Sequence, residues 1–200
     1  MIALVDYGAG NLRSVEKAFL AIGAEVKRTN QPDEVQRADK IILPGVGAFG
    51  DGMANLRQSG MQEVILERVS QGIPLIGICL GMQMLFESSE EHGYHEGLGL
   101  LRGHVREFPR SGLRVPQTGW NRLKQARPTR LLIGLPEEPY VYFNHSYYCD
   151  AHPEETLALT EYGFNYPSVV GNDQICGVQF HPEKSQDLGL QILRNFVEVW

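Results

Sequence analysis

No apolar run in this sequence approaches the roughly 18 residues that a membrane-crossing helix needs. The N-terminus enters directly as Met1-Ile-Ala-Leu-Val5 and meets Asp6, with neither the basic segment nor the long apolar core of a secretory leader. Basic clusters are equally scarce. The formal net charge is -6, and the locally basic stretch from Arg102 to Arg130 is broken by Pro and Gly, which argues against a nucleic-acid or membrane surface. Cysteine is limited to Cys79, Cys149 and Cys176, an odd number at wide spacing that fits reduced thiols better than a disulfide framework or a zinc site. Repeats and low-complexity segments are missing as well. These absences predict a cytoplasmic protein. Its 200 residues, 42% of them hydrophobic, predict one compact domain over 1–200.

What is present is an alternation of short apolar runs with helical patterns. Ile2 to Val5 reads as a strand, Asp6-Tyr7-Gly8-Ala9-Gly10-Asn11 as a turn, and Leu12, Val15, Phe19 and Ile22 as one face of a helix. The turn fails the dinucleotide fingerprint, because Arg13 stands where a third glycine must let helix and sheet approach. A second strand over Ala24 to Arg28, a polar helical connection over Pro32 to Lys40 and a third strand at Ile41-Ile42-Leu43 follow. Met53 to Gln71 reads as a helix broken at Gly60, Leu75 to Ile78 as a buried strand, and Leu80 to Ser88 as the next helix. From Glu90 to Pro139 the texture changes: Gly, Pro and apolar runs at Leu98 to Leu101 and Leu131 to Leu135 predict short antiparallel strands. Tyr140 to Phe143 and Ile175 to Phe180 read as strands, with weaker ones at Thr156 to Thr160 and Val169-Val170. A helix through Leu188, Ile192, Leu193, Phe196 and Trp200 closes the chain.

The chemistry centres on Gly77-Ile78-Cys79-Leu80-Gly81. This is the glycine-x-nucleophile-x-glycine spacing of a strained strand-to-helix turn that holds its middle residue out for reaction. On that turn Cys79 is expected to be exposed, at a helix N-terminus whose free N–H groups favour thiolate over thiol and can stabilise an oxyanion. The bland alternative is a small buried hydrophobe, and the two glycines weigh against it. Pro44-Gly45-Val46-Gly47, at the end of the third strand, is expected to face the same crevice and to offer a second oxyanion-hole N–H.

A thiolate nucleophile needs a base, and the base needs an orienting group. His181 and Glu183 supply both types at the end of the last strand, with Pro182 expected to keep the segment extended so that both side chains point one way. His145, also near a strand end, is the rival base. His92-Gly-Tyr-His95 beside Glu90 and Glu91 can be read as a metal cluster, but without a helical i, i+4 pair it reads better as a solvated loop.

Gly77-Ile-Cys-Leu-Gly-Met-Gln83 followed by His181-Pro-Glu183 resembles the class I (triad) glutamine amidotransferases in motif and order. Asp6 to Leu12, Leu43 to Met53, Gly119-Trp-Asn121, Tyr142 to Tyr148 and Val178 to Ser185 extend the resemblance nearly end to end. Within that family they look like the glutaminase subunits of imidazole glycerol phosphate synthases of histidine biosynthesis. The resemblance implies a flavodoxin-like α/β fold: a mostly parallel central sheet flanked by helices, with an added antiparallel portion. It implies hydrolysis of L-glutamine to glutamate and ammonia, which passes to a (β/α)8-barrel cyclase, with no metal or organic cofactor. Carried over residue by residue, Cys79 is the nucleophile, His181 the general acid/base and Glu183 the orienting carboxylate. The N–H of Leu80 and that of Val46 or Gly47 form the oxyanion hole. Gln83, Gly47, Ser146 and Tyr147 match glutamine-binding positions, and Asn11, Trp120, Tyr142 and Lys184 the cyclase-facing rim. Two departures stand out: Gln117-Thr118 where the family more often has His-Met, and Asn144 where it more often has valine. Rival readings are a different hydrolase on the same elbow and a non-catalytic subunit with a vestigial triad.

Overall fold

The computed structural model describes residues 1–109 and 112–200; Arg110 and Ser111, within the locally basic stretch, lie outside the described residues. The first half runs β1 (Ile2–Val5), α1 (Leu12–Ala21), β2 (Val26–Thr29), α2 (Pro32–Val35), β3 (Lys40–Leu43), α3 (Phe49–Gln58), α4 (Met61–Ser70), β4 (Leu75–Ile78) and α5 (Leu80–Met84). The second half adds β5 (Ser88–Ser89), β6 (His95–Glu96), β7 (Gly103–Glu107), β8 (Gln117–Arg122), β9 (Lys124–Gln125), β10 (Tyr140–His145), β11 (Tyr147–Ala151), β12 (Thr156–Glu161), β13 (Asn165–Gly171), β14 (Ile175–Val178) and α6 (Gln186–Glu198).

The main sheet has eight strands in the order β2-β1-β3-β4-β14-β13-β12-β9. Every pair from β2 to β14 is parallel, and those from β14 to β9 are antiparallel, so the expected α/β sheet with an antiparallel extension is the one observed. Strands β1, β4 and β14 are buried at every position, as strands covered on both faces must be. Alternation then sorts their side chains between two cores. Ile2 and Leu4 pack with α1 and α6 through Phe19, Ile192 and Phe196, whereas Ala3 and Val5 pack with α3 and α4 through Met53, Met61 and Ile65. An antiparallel pair, β10-β8, and a mixed sheet, β11-β7-β5-β6, in which β5 and β7 run parallel, stand beyond the main one.

Gly60, in the left-handed region at φ 71, separates α3 from α4 as expected. Three expectations fail. The helix after Cys79 stops at Met84 because the next segment caps it: Leu98 N donates to Met84 O at 2.9 Å, and Leu100 N and Leu101 N donate to Leu85 O at 2.8 and 3.0 Å. Leu98 to Leu101, serving those carbonyls, is therefore a loop and not a strand. Leu131 to Leu135 is not a strand either. Arg130–Leu132 form a 3-10 turn, and the carbonyls of Leu131 and Ile133 accept from the Asn195 side chain of α6 at 2.9 and 2.8 Å.

The consequence for function lies at one edge. Strands β1, β3, β4 and β14 are consecutive neighbours and all run the same way, so the loops leaving their carboxyl ends converge. Those loops carry Asn11, Val46 and Gly47, Cys79, and His181.

Candidate active site

Cys79 occupies the single position between β4 and α5, with φ 54 and ψ -110, a backbone region that a side chain enters only under constraint, at a cost of roughly 1–3 kcal/mol. Two glycines make the turn sterically feasible. A Cβ on Gly77 would lie 2.7 Å from the Gly81 backbone, and one on Gly81 would collide with the Leu43 carbonyl oxygen. Helix α5 thereby seats directly on β3 and β4. Cys79 N donates to Val178 O at 2.8 Å, tying the turn to β14 as well. The expectation of an exposed thiol is corrected: Cys79 is only 6% exposed, because β10 and β14 cover the elbow. Its Sγ lies 4.0 Å from Asn144 O and 3.8 Å from Gln179 Nε2. The other two thiols, Cys149 and Cys176, are buried and free, with burial holding both well above the usual thiol range.

His181 follows β14 in extended conformation, and its N donates to Tyr142 O at 2.8 Å. Pro182–Lys184 then form a 3-10 turn and not the extended run expected from the proline. The turn still brings the side chains together: His181 Nδ1 and Glu183 Oε1 are 2.8 Å apart, with 2% and 0% side-chain exposure. Burial disfavours charge on the imidazole. The neighbouring Cys79 sulfur and the Glu183 carboxylate outweigh that and raise its pKa from 6.5 to about 9. An imidazolium held by a carboxylate in the cavity that Cys79 also lines can keep one proton ready at neutral pH.

His145, the rival base, is placed otherwise. Its Nδ1 lies 2.7 Å from Tyr147 O and its Nε2 3.2 Å from Tyr166 Oη, among the rings of Phe108, Phe143 and Tyr166. Burial pushes its pKa down to about 4, so it is neutral and spent on holding the 145–147 turn.

A cavity of about 480 Å³ opens over Cys79 and His181. Val46, Gly47, Leu80, Gln83, Ser146 and Tyr147 all line it, as do Asn11 and Lys184 from the proposed rim. Gly47 is at φ 105, and Tyr7 Oη donates to Pro44 O at 2.7 Å, anchoring the base of the Val46 loop. Gln83 Nε2 donates to Tyr147 O and Gln179 Oε1, both at 3.1 Å, so its amide nitrogen also braces the cavity wall. Trp120 and Tyr142 lie outside the cavity but beside it. They face each other across β8 and β10 with ring centroids 6.0 Å apart, and Lys184 Nζ sits 5.8 Å from the Tyr142 ring.

Glu91 lines the same cavity, and sequence reasoning placed it in a solvated loop. Its Oε2 accepts from Phe49 N at 2.6 Å, at the start of α3. No local pattern signals a contact between positions 42 apart in sequence. Among the described residues, no group of three or more His, Cys, Asp or Glu side chains is placed to hold a metal ion, and no helix is long and apolar enough to cross a membrane.

A cysteine on a strained glycine-flanked elbow, faced by a histidine held by a buried glutamate on this sheet, is the arrangement of a triad amidotransferase. The chain belongs to the class-I glutamine amidotransferase family, whose model matches residues 3–200. It is 51% identical over 197 residues to imidazole glycerol phosphate synthase subunit HisH of Desulfitobacterium hafniense, covering 98% of this chain and 93% of that protein. With the HisH subunit of Sulfurimonas denitrificans it shares 50% identity over 204 residues, covering 99% and 98%. The likeness to the glutaminase subunits of that synthase, legible in the motifs, thus holds along the whole chain. Among solved structures, a glutamine amidotransferase aligns with TM-score 0.78 at 22% identity, covering 99% of this chain and 98% of that one. The structure of PurLQS from Thermotoga maritima aligns with TM-score 0.78 at 19% identity, covering 98% and 96%. These two share the fold.

Proposed function

We propose that this chain is the glutaminase subunit of an imidazole glycerol phosphate synthase, releasing ammonia from L-glutamine for a (β/α)8-barrel cyclase subunit in L-histidine biosynthesis. The observation that carries the reading is the single constellation of Cys79, His181 and Glu183 in one cavity, with 2.8 Å between imidazole and carboxylate.

In the first step the Cys79 thiolate attacks the carboxamide carbon, a C–S bond forms, and the carbonyl electrons move to oxygen. The oxyanion is met by the Leu80 N–H, which as the first residue of α5 has no intrahelical acceptor, and by the N–H of Val46 or Gly47. The intermediate collapses as the C–N bond breaks, and the His181 imidazolium gives its proton to the departing ammonia. Water then attacks the thioester while His181 takes a proton, the C–S bond breaks, and glutamate leaves with the thiolate restored. Glu183 orients the imidazole throughout. Gln83, Gly47, Ser146 and Tyr147 hold the substrate, and Glu91, a carboxylate that lines the same cavity, suits its α-ammonium group.

Asn11 and Lys184 on the cavity lining, with Trp120 and Tyr142 beside it, make up the partner-facing rim in this reading. Its exposed Trp120 and Lys184 and half-buried Tyr142 suit the mouth of a partner barrel that takes ammonia before it escapes to water. Co-purification with a candidate cyclase, followed by measurement of glutamine-dependent product, tests the reading. A stable complex that makes product from ammonia and never from glutamine overturns it.

A further inference from the structure

Asn11 enters α1 from the left-handed region, φ 66 and ψ 5, which asparagine tolerates better than most side chains. An asparagine there ordinarily caps its own helix by accepting from a free N–H of the first turn. Asn11 makes no such bond. Its Nδ2 instead donates to Glu183 Oε1 at 2.6 Å, across 172 positions of sequence. The same oxygen lies 2.8 Å from His181 Nδ1, while Glu183 Oε2 is buried without a hydrogen-bond partner among the described residues. Everything polar that holds this carboxylate therefore passes through one oxygen shared by Asn11 and His181. With His181 alone, the carboxylate could pivot about its last torsion; a second donor from another direction removes that freedom.

We propose that Asn11 is a positioning residue of the triad, whose carboxamide fixes the Glu183 carboxylate in the orientation that orders the His181 imidazole. The proposal rests on the glutaminase reading above and adds to the rim position that the family resemblance gives Asn11. An amide donor suits the task because it satisfies the carboxylate without bringing a second charge beside it. The effect falls on turnover more than on glutamine binding, since the bond lies behind the imidazole.

The test compares glutamate release from L-glutamine by the wild-type complex with its cyclase, by Asn11→Gly and by Asn11→Asp, between about pH 5 and 9. Glycine keeps the left-handed backbone without strain and removes the amide, so kcat should fall about 10- to 100-fold with KM changed less than about threefold. Aspartate keeps the size but replaces the donor by a carboxylate. Ionised, it repels Glu183; protonated, it donates O–H to the same oxygen, and two carboxyls sharing a site hold one proton well above the usual carboxylate range. The activity of Asn11→Asp relative to Asn11→Gly should therefore rise about tenfold as pH falls across that range. A residue that merely starts the helix gives a ratio independent of pH, and that result, or an unchanged kcat in Asn11→Gly, overturns the proposal. A wild-type complex that releases no glutamate at any pH overturns the glutaminase reading itself, and this proposal with it.

Discussion

Thr118 and Asn144 face each other across β8 and β10, and Thr118 Oγ1 donates to Asn144 Oδ1 at 3.1 Å. Gln117, next to Thr118, pairs with His145 in the same ladder and accepts from Tyr166 Oη at 2.9 Å. Asn144 also lines the cavity, and its carbonyl lies 4.0 Å from Cys79 Sγ.

Thr118→Met and Asn144→Val should each cost up to about 1 kcal/mol of stability and lower glutamine turnover severalfold, whereas the double substitution should recover most of both losses. A double-mutant cycle by urea unfolding and glutamate release measures the coupling. Strict additivity would mean that the two positions vary independently.

Substituting His181 by alanine should abolish glutamine turnover, and Glu183→Gln should cost less, because the imidazole keeps a hydrogen-bonding neighbour but loses its charged partner. The losses should not add in the double variant. The His181 pKa of about 9 also places an alkaline limb near that pH. Its folded value lies above the ordinary 6.5, so its contribution to stability is complete below pH 6.5 and lost as pH rises through about 9. Equilibrium unfolding of wild type and His181→Ala across that window checks the sign; parallel curves would contradict it.

His145 should act in the opposite sense. Folding depresses its pKa from 6.5 to about 4, so the unfolded chain binds its proton first and stability drains away as pH falls from 6.5 toward 4. The shift corresponds to roughly 3 kcal/mol. His145→Gln, which cannot titrate, should unfold with a flatter acid dependence than wild type in urea melts at several pH values, and an unchanged slope would remove His145 from the account.

How much of this was legible in the sequence depends on the range of the signal. The Cys79 elbow was legible because Gly77 and Gly81 record a close approach between adjacent elements, and the His181–Glu183 pair because its members are two residues apart. The burial of Cys79 was not, since it comes from β10 and β14, distant in sequence. Glu91 and the bond from Asn11 to Glu183 were hidden for the same reason. The loops at Leu98 to Leu101 and Leu131 to Leu135 misled because an apolar run does not reveal where its N–H and C=O groups go. Here they serve the end of α5 and the side chain of Asn195.

Gly47, at φ 105, permits a loop conformation that an alanine resists. Gly47→Ala should lower kcat about 100- to 1000-fold, the range of losing an oxyanion donor, with a smaller change in KM. The same freedom of the Val46 peptides predicts low glutaminase activity in the isolated chain and a strong rise when the cyclase and its ligand bind. Glutamate release by the chain alone, with cyclase, and with cyclase plus ligand checks this, and equal kcat in all three rules out gating.

The division of labour between Cys79 and the partner is tested most directly by assaying the Cys79→Ala complex with glutamine and, separately, with ammonium salt as nitrogen donor. Glutamine-dependent synthesis should disappear while ammonia-dependent synthesis stays near the wild-type level. Equal loss of both in a correctly assembled complex, or full retention of the glutamine-dependent rate, would contradict the assignment of Cys79 as the residue that releases ammonia.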